Sequence, residues 1–379
     1  MFMLCSQAPT LQIPPHPLVS APKATTGHTH PMRKITLGTT DTQITDYCLG
    51  TMTWGTHTPE GDAHRQMDMA LDAGITIIDT AEMYPVNPVT PETVGLSETV
   101  LGNWNAQHPG RRGDYLLATK ITGKNAGFVR FGQDITPATF AQALDASLVR
   151  LKTDVIDIYQ IHWPNRGSYH FRQNWRYDPS AQDRAATRAD MLALLEAAER
   201  AVKSGKIRHF ALSNESAWGT AQWLDLARAH GLPRVQSIQN EYSLLCRLYD
   251  TDLAELAVNE AVTLLGYSPL ATGLLTGKYQ NGALPAGSRM AINGDLGGRK
   301  TARAFDAVSA YLEMAARHNL DPVHMALAFS VQRPFGVSTI FGATTCDQLA
   351  HILKGIDLTL GADQLAEIDQ IHKAHPMPF

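Results

Sequence analysis

The chain has 379 residues, 44% hydrophobic and 18% charged, the balance of a globular protein with enough apolar material for a sizeable core. Lys and Arg number 32 against 36 Asp and Glu, and the net charge of −4 gives no pull toward nucleic acid or an anionic membrane. No stretch reaches the roughly 18 consecutive apolar residues of a spanning helix, so a membrane partner is not expected.

Residues 1–31 carry Pro9, Pro14, Pro15, Pro17, Pro22 and Pro31 among Ser and Thr, with no amphipathic period. That is the composition of a disordered leader; a signal peptide would need a basic start and a longer apolar run. His28 and His30 are too few for a metal site, which collects three or four fixed ligands. Cys5, Cys48, Cys246 and Cys346 lack C-x-x-C spacing and are expected to be free thiols of a reducing, cytoplasmic compartment. No metal ligands are expected.

The regular body, residues 32–379, opens at Met32. Segments 33–37 and 43–47 flank the turn-rich Gly38-Thr39-Thr40-Asp41-Thr42 and predict a hairpin. Eight short apolar runs follow, at 48–51, 76–79, 115–120, 155–162, 209–213, 237–240, 263–267 and 338–341. Apolar on both faces, they suit buried parallel strands. Helical periods lie between them. One runs over 63–73 and stops at Gly74. Thr136-Pro137 caps another, with Phe140, Leu144 and Leu148 at four-residue spacing. Asp190 is expected to open the next, with Leu192, Leu195 and Val202 inward and Gly205 past its end. Asp321-Pro322 opens one more. Strands alternating with helices through right-handed crossovers predict an α/β fold, a closed (β/α)8 TIM barrel with an N-terminal β-hairpin, as one domain. A doubly wound open sheet is the alternative.

Active sites of such barrels lie at the carboxyl ends of the strands. Three consecutive strands end in Asp79, in Lys120 and in His162, with Tyr84 five residues past Asp79. Singly, each is ordinary: Asp79 a helix cap, Lys120 a solvated terminus, His162 a core histidine, Tyr84 before Pro85 a turn. Together they suggest protonation of an oxygen. A tyrosine with a reference pKa of about 10 is a poor acid near neutrality, and a nearby Lys⁺ lowers that value. Asp79 would hold Lys120 charged, and His162 would orient the oxygen. If that oxygen is a carbonyl being reduced, the hydride must come from a cofactor.

Asp79-Thr80-Ala81-Glu82-Met83-Tyr84, Thr119-Lys120 and Gln160-Ile161-His162-Trp163 resemble the active-site signatures of the aldo-keto reductases. So do Leu49-Gly50-Thr51-Met52-Thr53-Trp54-Gly55, Ser213-Asn214, Gln239-Asn240-Glu241-Tyr242-Ser243, Tyr267-Ser268-Pro269-Leu270 and Ile340-Phe341-Gly342-Ala343-Thr344-Thr345. The likeness covers about residues 33–374 and is nearest the bacterial Tas-type branch, akin to potassium-channel β subunits. It implies NADPH-dependent reduction of a small aldehyde or ketone, with Tyr84 as general acid tuned by Lys120 and Asp79. It further implies that Ser213, Asn214 and Gln239 hold the nicotinamide amide and that Tyr267 stacks on its ring. Thr51, Met52, Asp79, Ser268, Pro269, Leu270, Gly273, Leu275, Lys278, Ser288, Arg289 and Gly342 would complete the cofactor groove, with Thr344 and Gln348 near the adenosine 2′-phosphate. Trp54, Tyr84, His162 and Trp163 would line the substrate pocket. His351-Ile352 stands where many relatives have Glu-Asn, and an Ile side chain cannot hydrogen-bond adenine. A homo-oligomer is compatible with the resemblance.

Gly273-Leu274-Leu275-Thr276-Gly277-Lys278-Tyr279 looks like a phosphate-binding P-loop, yet it is one residue short and ends in Tyr instead of Ser or Thr. A metal-dependent hydrolase lacks clustered His and carboxylate ligands at the strand ends. An NADPH-binding, redox-sensing regulatory subunit with little turnover is the second reading, disfavoured by the complete quartet. Two long segments carry the remaining expectations: 164–189, with Tyr169, Phe171, Trp175 and Tyr177, as a substrate wall, and 280–303 as a cofactor cover.

Overall fold

A computed structural model describes residues 32–379; the leader and its His28, His30 and Cys5 lie outside the described residues. The hairpin is β1 (Lys34–Thr36) with β2 (Gln43–Thr45). The barrel strands are β3 (Tyr47–Gly50), β4 (Ile77–Asp79), β5 (Leu116–Ile121), β6 (Ile156–Ile161), β7 (Ile207–Ser213), β8 (Val235–Glu241), β9 (Thr263–Tyr267) and β10 (Val337–Phe341). All pair parallel in chain order, and β10 closes on β3. This is the expected (β/α)8 barrel, and the open-sheet alternative is overturned by that closure.

The helices are α1 (Glu60–Asp72), α2 (Leu96–Gln107), α3 (Pro137–Leu151), α4 (Arg184–Lys203), α5 (Ala217–His230), α6 (Asp252–Glu260), α7 (Arg289–Ile292), α8 (Ala302–Arg317), α9 (Pro322–Val331), α10 (Cys346–Leu353) and α11 (Ala362–Ala374). The Thr136 side chain accepts from the Thr139 amide, closing a capping box that starts α3 where its Pro137 predicts. The Asp321 side chain caps α9 by accepting from the amides of Val323 and His324. The start of α4 differs from expectation. Asp183, not Asp190, accepts from the amides of Ala185 and Ala186, because the Ala- and Arg-rich stretch after it extends the helix by nearly two turns. The preceding loop is correspondingly shorter.

Inside the barrel, Cys48, Ile77, Ala118, Ile158, Ala211, Leu265 and Ile340 form one apolar layer. Leu37 and Ile44 of the hairpin pack into the same layer from below. The hairpin is fastened to strand beginnings: Thr263 Oγ1 accepts from the Gly38 amide at 2.8 Å and Gln236 Oε1 from the Thr39 amide at 2.9 Å. Gly38 has φ of +57°, and a Cβ there would overlap Gln236, so this turn needs glycine. The amino end of the barrel is therefore plugged. Outside, the buried Glu98 carboxylate of α2 accepts from Thr119 Oγ1 on β5 at 2.6 Å and from Arg150 Nε on α3 at 2.7 Å. That pairing fixes the helix that follows Tyr84.

Candidate active site

Side chains alternate along a strand, so two residues beyond each apolar inward position comes the next inward one. Ile77 is followed by Asp79, Ala118 by Lys120, Ile158 by Gln160 and Ala211 by Ser213. The interior thus changes from apolar to polar in a single step at the carboxyl end. Lys120 pairs in register with Gln160, and Ser213 with Gln239.

Lys120 is completely buried. Its Nζ donates to Asp79 Oδ2 at 2.7 Å and to the Thr80 carbonyl at 2.7 Å. The other Asp79 oxygen accepts from Gln239 Nε2 at 2.8 Å and Gln160 Nε2 at 3.3 Å. Burial alone would depress the lysine pKa, but the Asp79 charge and the Tyr84 oxygen more than offset it and hold the ammonium above its ordinary value. Its Nζ lies 4.8 Å from the centre of the Tyr84 ring, and the Tyr84 and His162 rings meet edge-on at 5.8 Å. All four predicted catalytic side chains converge.

The tyrosine differs from the sequence-based expectation. Burial raises its pKa above the ordinary value of 10, and Lys120 lowers it by less than burial and Asp79 raise it. Tyr84 therefore stays protonated near neutrality, which suits a proton donor. Burial, with the Lys120 charge second, pushes His162 well below 6.5, so its imidazole is neutral. Its Nδ1 is buried with no hydrogen-bond partner among the described residues. An orphaned buried N–H costs more than an orphaned lone pair, which assigns the proton to Nε2.

The expected cofactor residues occupy the carboxyl side of the barrel, following the other strands. Thr51 Oγ1 donates to the Asp79 carbonyl at 3.1 Å, and the Met52 carbonyl accepts from the Val86 amide at 3.1 Å. Ser213 Oγ donates to the Gln239 carbonyl at 2.8 Å; Asn214 Nδ2 donates to the His162 carbonyl at 2.9 Å. Tyr267 Oη donates to Asn214 Oδ1 at 2.8 Å. After β9 the backbone turns left-handed at Ser268, Ala271, Thr272 and Gly273. A Cβ on Gly273 would press on the Lys278 side chain, so this close-packed turn suits a backbone cradle. Pro269 and Leu275 are buried and Leu270 half-buried. Arg289 is half-buried with no acidic partner among the described residues, and burial plus the charge of Arg299 hold its pKa below the usual arginine value. A charge left in that condition fits a phosphate ligand. Ser288 caps α7. Beyond β10, the exposed Gly342 precedes Thr344, whose amide and hydroxyl both donate to Gln348 Oε1 at 3.0 Å. The Gln348 Nε2 is left to donate outward.

Of the expected substrate wall, Trp163 is half-buried beside His162, its ring 4.9 Å away. Phe171 packs edge-on against Trp163 at 5.9 Å. Trp54 differs: it is fully buried, with its indole N–H donating to Gln66 Oε1 at 3.0 Å, so it serves the core and offers no surface to a ligand. Tyr169 and Tyr177 pack on each other, and Trp175 is exposed.

One buried carboxylate was not anticipated from sequence. Glu241, at the end of β8, accepts from Arg172 Nη1 of the first long loop at 2.9 Å and from Arg299 Nε of the second at 2.7 Å. Burial would raise its pKa, but the two guanidinium groups outweigh burial and leave it below the ordinary value. The signal was parity: Glu241 is the next inward position after Gln239. A cavity of about 430 Å³ opens between these loops, lined by Phe171, Arg172, Trp175, Gly297, Gly298 and Phe379.

Residues 47–373 match the profile of the Aldo/keto reductase family. The chain is 43% identical to Protein tas of Escherichia coli over 340 residues, 89% of this chain and 96% of that protein. It is 30% identical to the uncharacterized oxidoreductase YrpG of Bacillus subtilis, covering 88% and 94%. It is 27% identical to an NADH-specific methylglyoxal reductase of E. coli, covering 87% and 95%. A closed barrel, a quartet at its carboxyl end and these matches together make the chain a member of the aldo/keto reductase family, on the branch that contains Tas.

Proposed function

We propose that this protein reduces a small aldehyde or ketone to the alcohol with NADPH, in the cytoplasm, with Tyr84 as the acid. The observation that carries the reading is the Lys120 ammonium, buried between Asp79 and the Thr80 carbonyl and lying over the Tyr84 ring. NADPH, when bound, supplies the hydride. Ser213, Asn214, Gln239 and Tyr267 would hold its nicotinamide end, and Thr51, Met52, Ser268, Leu270, Gly273, Lys278, Ser288 and Gly342 its groove. Arg289 would meet a phosphate, and Thr344 and Gln348 would lie near the adenosine 2′-phosphate, the contact that would favour NADPH over NADH.

The remaining steps belong to the chain. Neutral His162 donates from Nε2 to the substrate oxygen and fixes its direction. Trp163, braced by Phe171, walls the reacting carbon from water. As negative charge develops on the oxygen, Tyr84 gives up its proton, and the nearby Lys120 stabilises the phenolate left behind. Asp79 keeps Lys120 charged throughout. Proton transfer of this kind contributes about 10²–10⁴ in rate.

The test is NADPH oxidation with 4-nitrobenzaldehyde, comparing wild type with Tyr84→Phe, alongside NADPH binding by fluorescence. Expected are turnover by wild type, a loss of at least about 10² in the variant, and equal binding. Equal rates would remove Tyr84 from its role. Binding with no turnover of any carbonyl by wild type would replace the reductase with a redox-sensing subunit.

A further inference from the structure

Where the last turn of α10 meets the start of α9, Asp321, His324 and His351 bring a carboxylate oxygen and two imidazole nitrogens within 4.8 Å of one another. Asp321 and His324 sit at the start of α9, and His351 in the last turn of α10. Asp321 uses Oδ1 to cap the amides of Val323 and His324, at 2.8 and 3.1 Å. Its Oδ2 lies 3.1 Å from His351 Nε2.

The protonation pattern is set by the backbone. His324 Nε2 stands 2.7 Å from the His351 carbonyl, a pure acceptor, so this nitrogen carries the proton. The other ring nitrogen, Nδ1, lies 3.9 Å from Asp321 Oδ1, beyond hydrogen-bond distance and at a separation that a cation between them could bridge. A ring N–H given to a backbone carbonyl is also how metal-binding histidines are held. The ring is further fixed by Gly355: a Cβ at that position would run into the imidazole. The two rings lie nearly parallel, 4.8 Å apart.

We propose that Asp321, His324 and His351 bind a divalent metal of the zinc class. Two imidazoles and one carboxylate suit zinc over calcium or magnesium, which prefer all-oxygen shells. Ligands at about 2.1 Å on a tetrahedral ion stand about 3.4 Å apart; the donor atoms here lie within 4.8 Å of one another, with His351 Nε2 3.1 Å from Asp321 Oδ2 and His324 Nδ1 3.9 Å from Oδ1, so a modest side-chain adjustment closes the set on an ion. Any proton on His351 Nε2 passes to solvent or to the ring's Nδ1 on binding, so that a neutral imidazole meets the metal, and solvent takes the fourth position. The metal would clip α10, the helix carrying Gln348, to α9. The site is hidden in the sequence because 27 residues separate His324 from His351.

The experiment titrates the full chain with Zn²⁺ against a chromophoric chelator, and with Co²⁺ followed by visible absorption. Wild type is compared with His351→Ala and with Asp321→Asn, which keeps the cap. The comparison also cancels zinc held elsewhere, His28 and His30 included. Expected is one equivalent bound at micromolar affinity or tighter, weakened at least tenfold in both variants, with Co²⁺ bands lost and circular dichroism unchanged. Zn²⁺ should also raise the melting temperature of wild type but not of His351→Ala. Equal affinity in wild type and His351→Ala, or no binding by wild type, overturns the proposal and leaves the cluster as a histidine–carboxylate contact.

Discussion

Replacing Glu241 with Gln tests whether one carboxylate holds both long loops. Glu241 and Arg299 are 6% and 5% exposed, so water cannot take over for the lost partner. Removing one member of such a buried charge arrangement costs about 3–5 kcal/mol, mostly as the penalty of guanidinium groups left unpaired. If about 3 kcal/mol of that falls on loop opening, the open population rises about 100-fold. Proteolysis that samples the open state should accelerate by a similar factor. The assay is limited proteolysis at pH 7, with cleavage sites mapped to 164–183 and 280–301, together with urea unfolding. The carboxyl pKa lies below 4.5 in the folded protein, so this stabilisation is complete above 4.5 and is lost as the pH falls through the folded value. The gap between wild type and variant should therefore close in acid. Cleavage within twofold of wild type at pH 7, with unchanged unfolding, would refute the reasoning.

Two further outcomes are expected from the buried quartet. Lys120→Met strands the Asp79 carboxylate without its cation and should cost about 3–5 kcal/mol in urea unfolding. Adding Asp79→Asn should recover part of that stability without restoring carbonyl turnover; full recovery of turnover would count against the ammonium's role. His162 is neutral in the folded protein with its pKa well below 6.5, while the unfolded chain protonates near 6.5. Acid thus favours unfolding below that value. Compared with wild type, His162→Gln should lose less stability between pH 7 and 5, and equal slopes would contradict the assigned burial penalty.

Much of this architecture can be read in the residues, for identifiable reasons. The eight strands are apolar on both faces and the principal caps at Thr136 and Asp321 are local, so their signals survive without tertiary information. The quartet is legible because strand ends at one face of a barrel must be neighbours. The start of α4 is not, because Asp183 and Asp190 are both good caps and the choice falls to helix propensity in between. The direction of the Tyr84 shift depends on how deeply the mouth is buried, which no spacing reveals. Arg172 and Arg299 lie in loops without periodicity, so only Glu241, by its parity on β8, announces that a cation is needed. Trp54 sits in a motif that resembles a pocket wall, yet its partner Gln66 comes from α1 and draws the indole into the core.

The plug formed by Leu37 and Ile44 has a consequence for proton traffic. The amino end of the barrel is stopped by side chains, and the apolar layer lies between that end and Lys120. Under the proposed mechanism, the proton that leaves Tyr84 in each cycle must then be replaced through the same mouth by which the alcohol departs. Regeneration of the acid is tied to product exit, and the hairpin, remote from the chemistry, makes the enzyme a vessel with a single door.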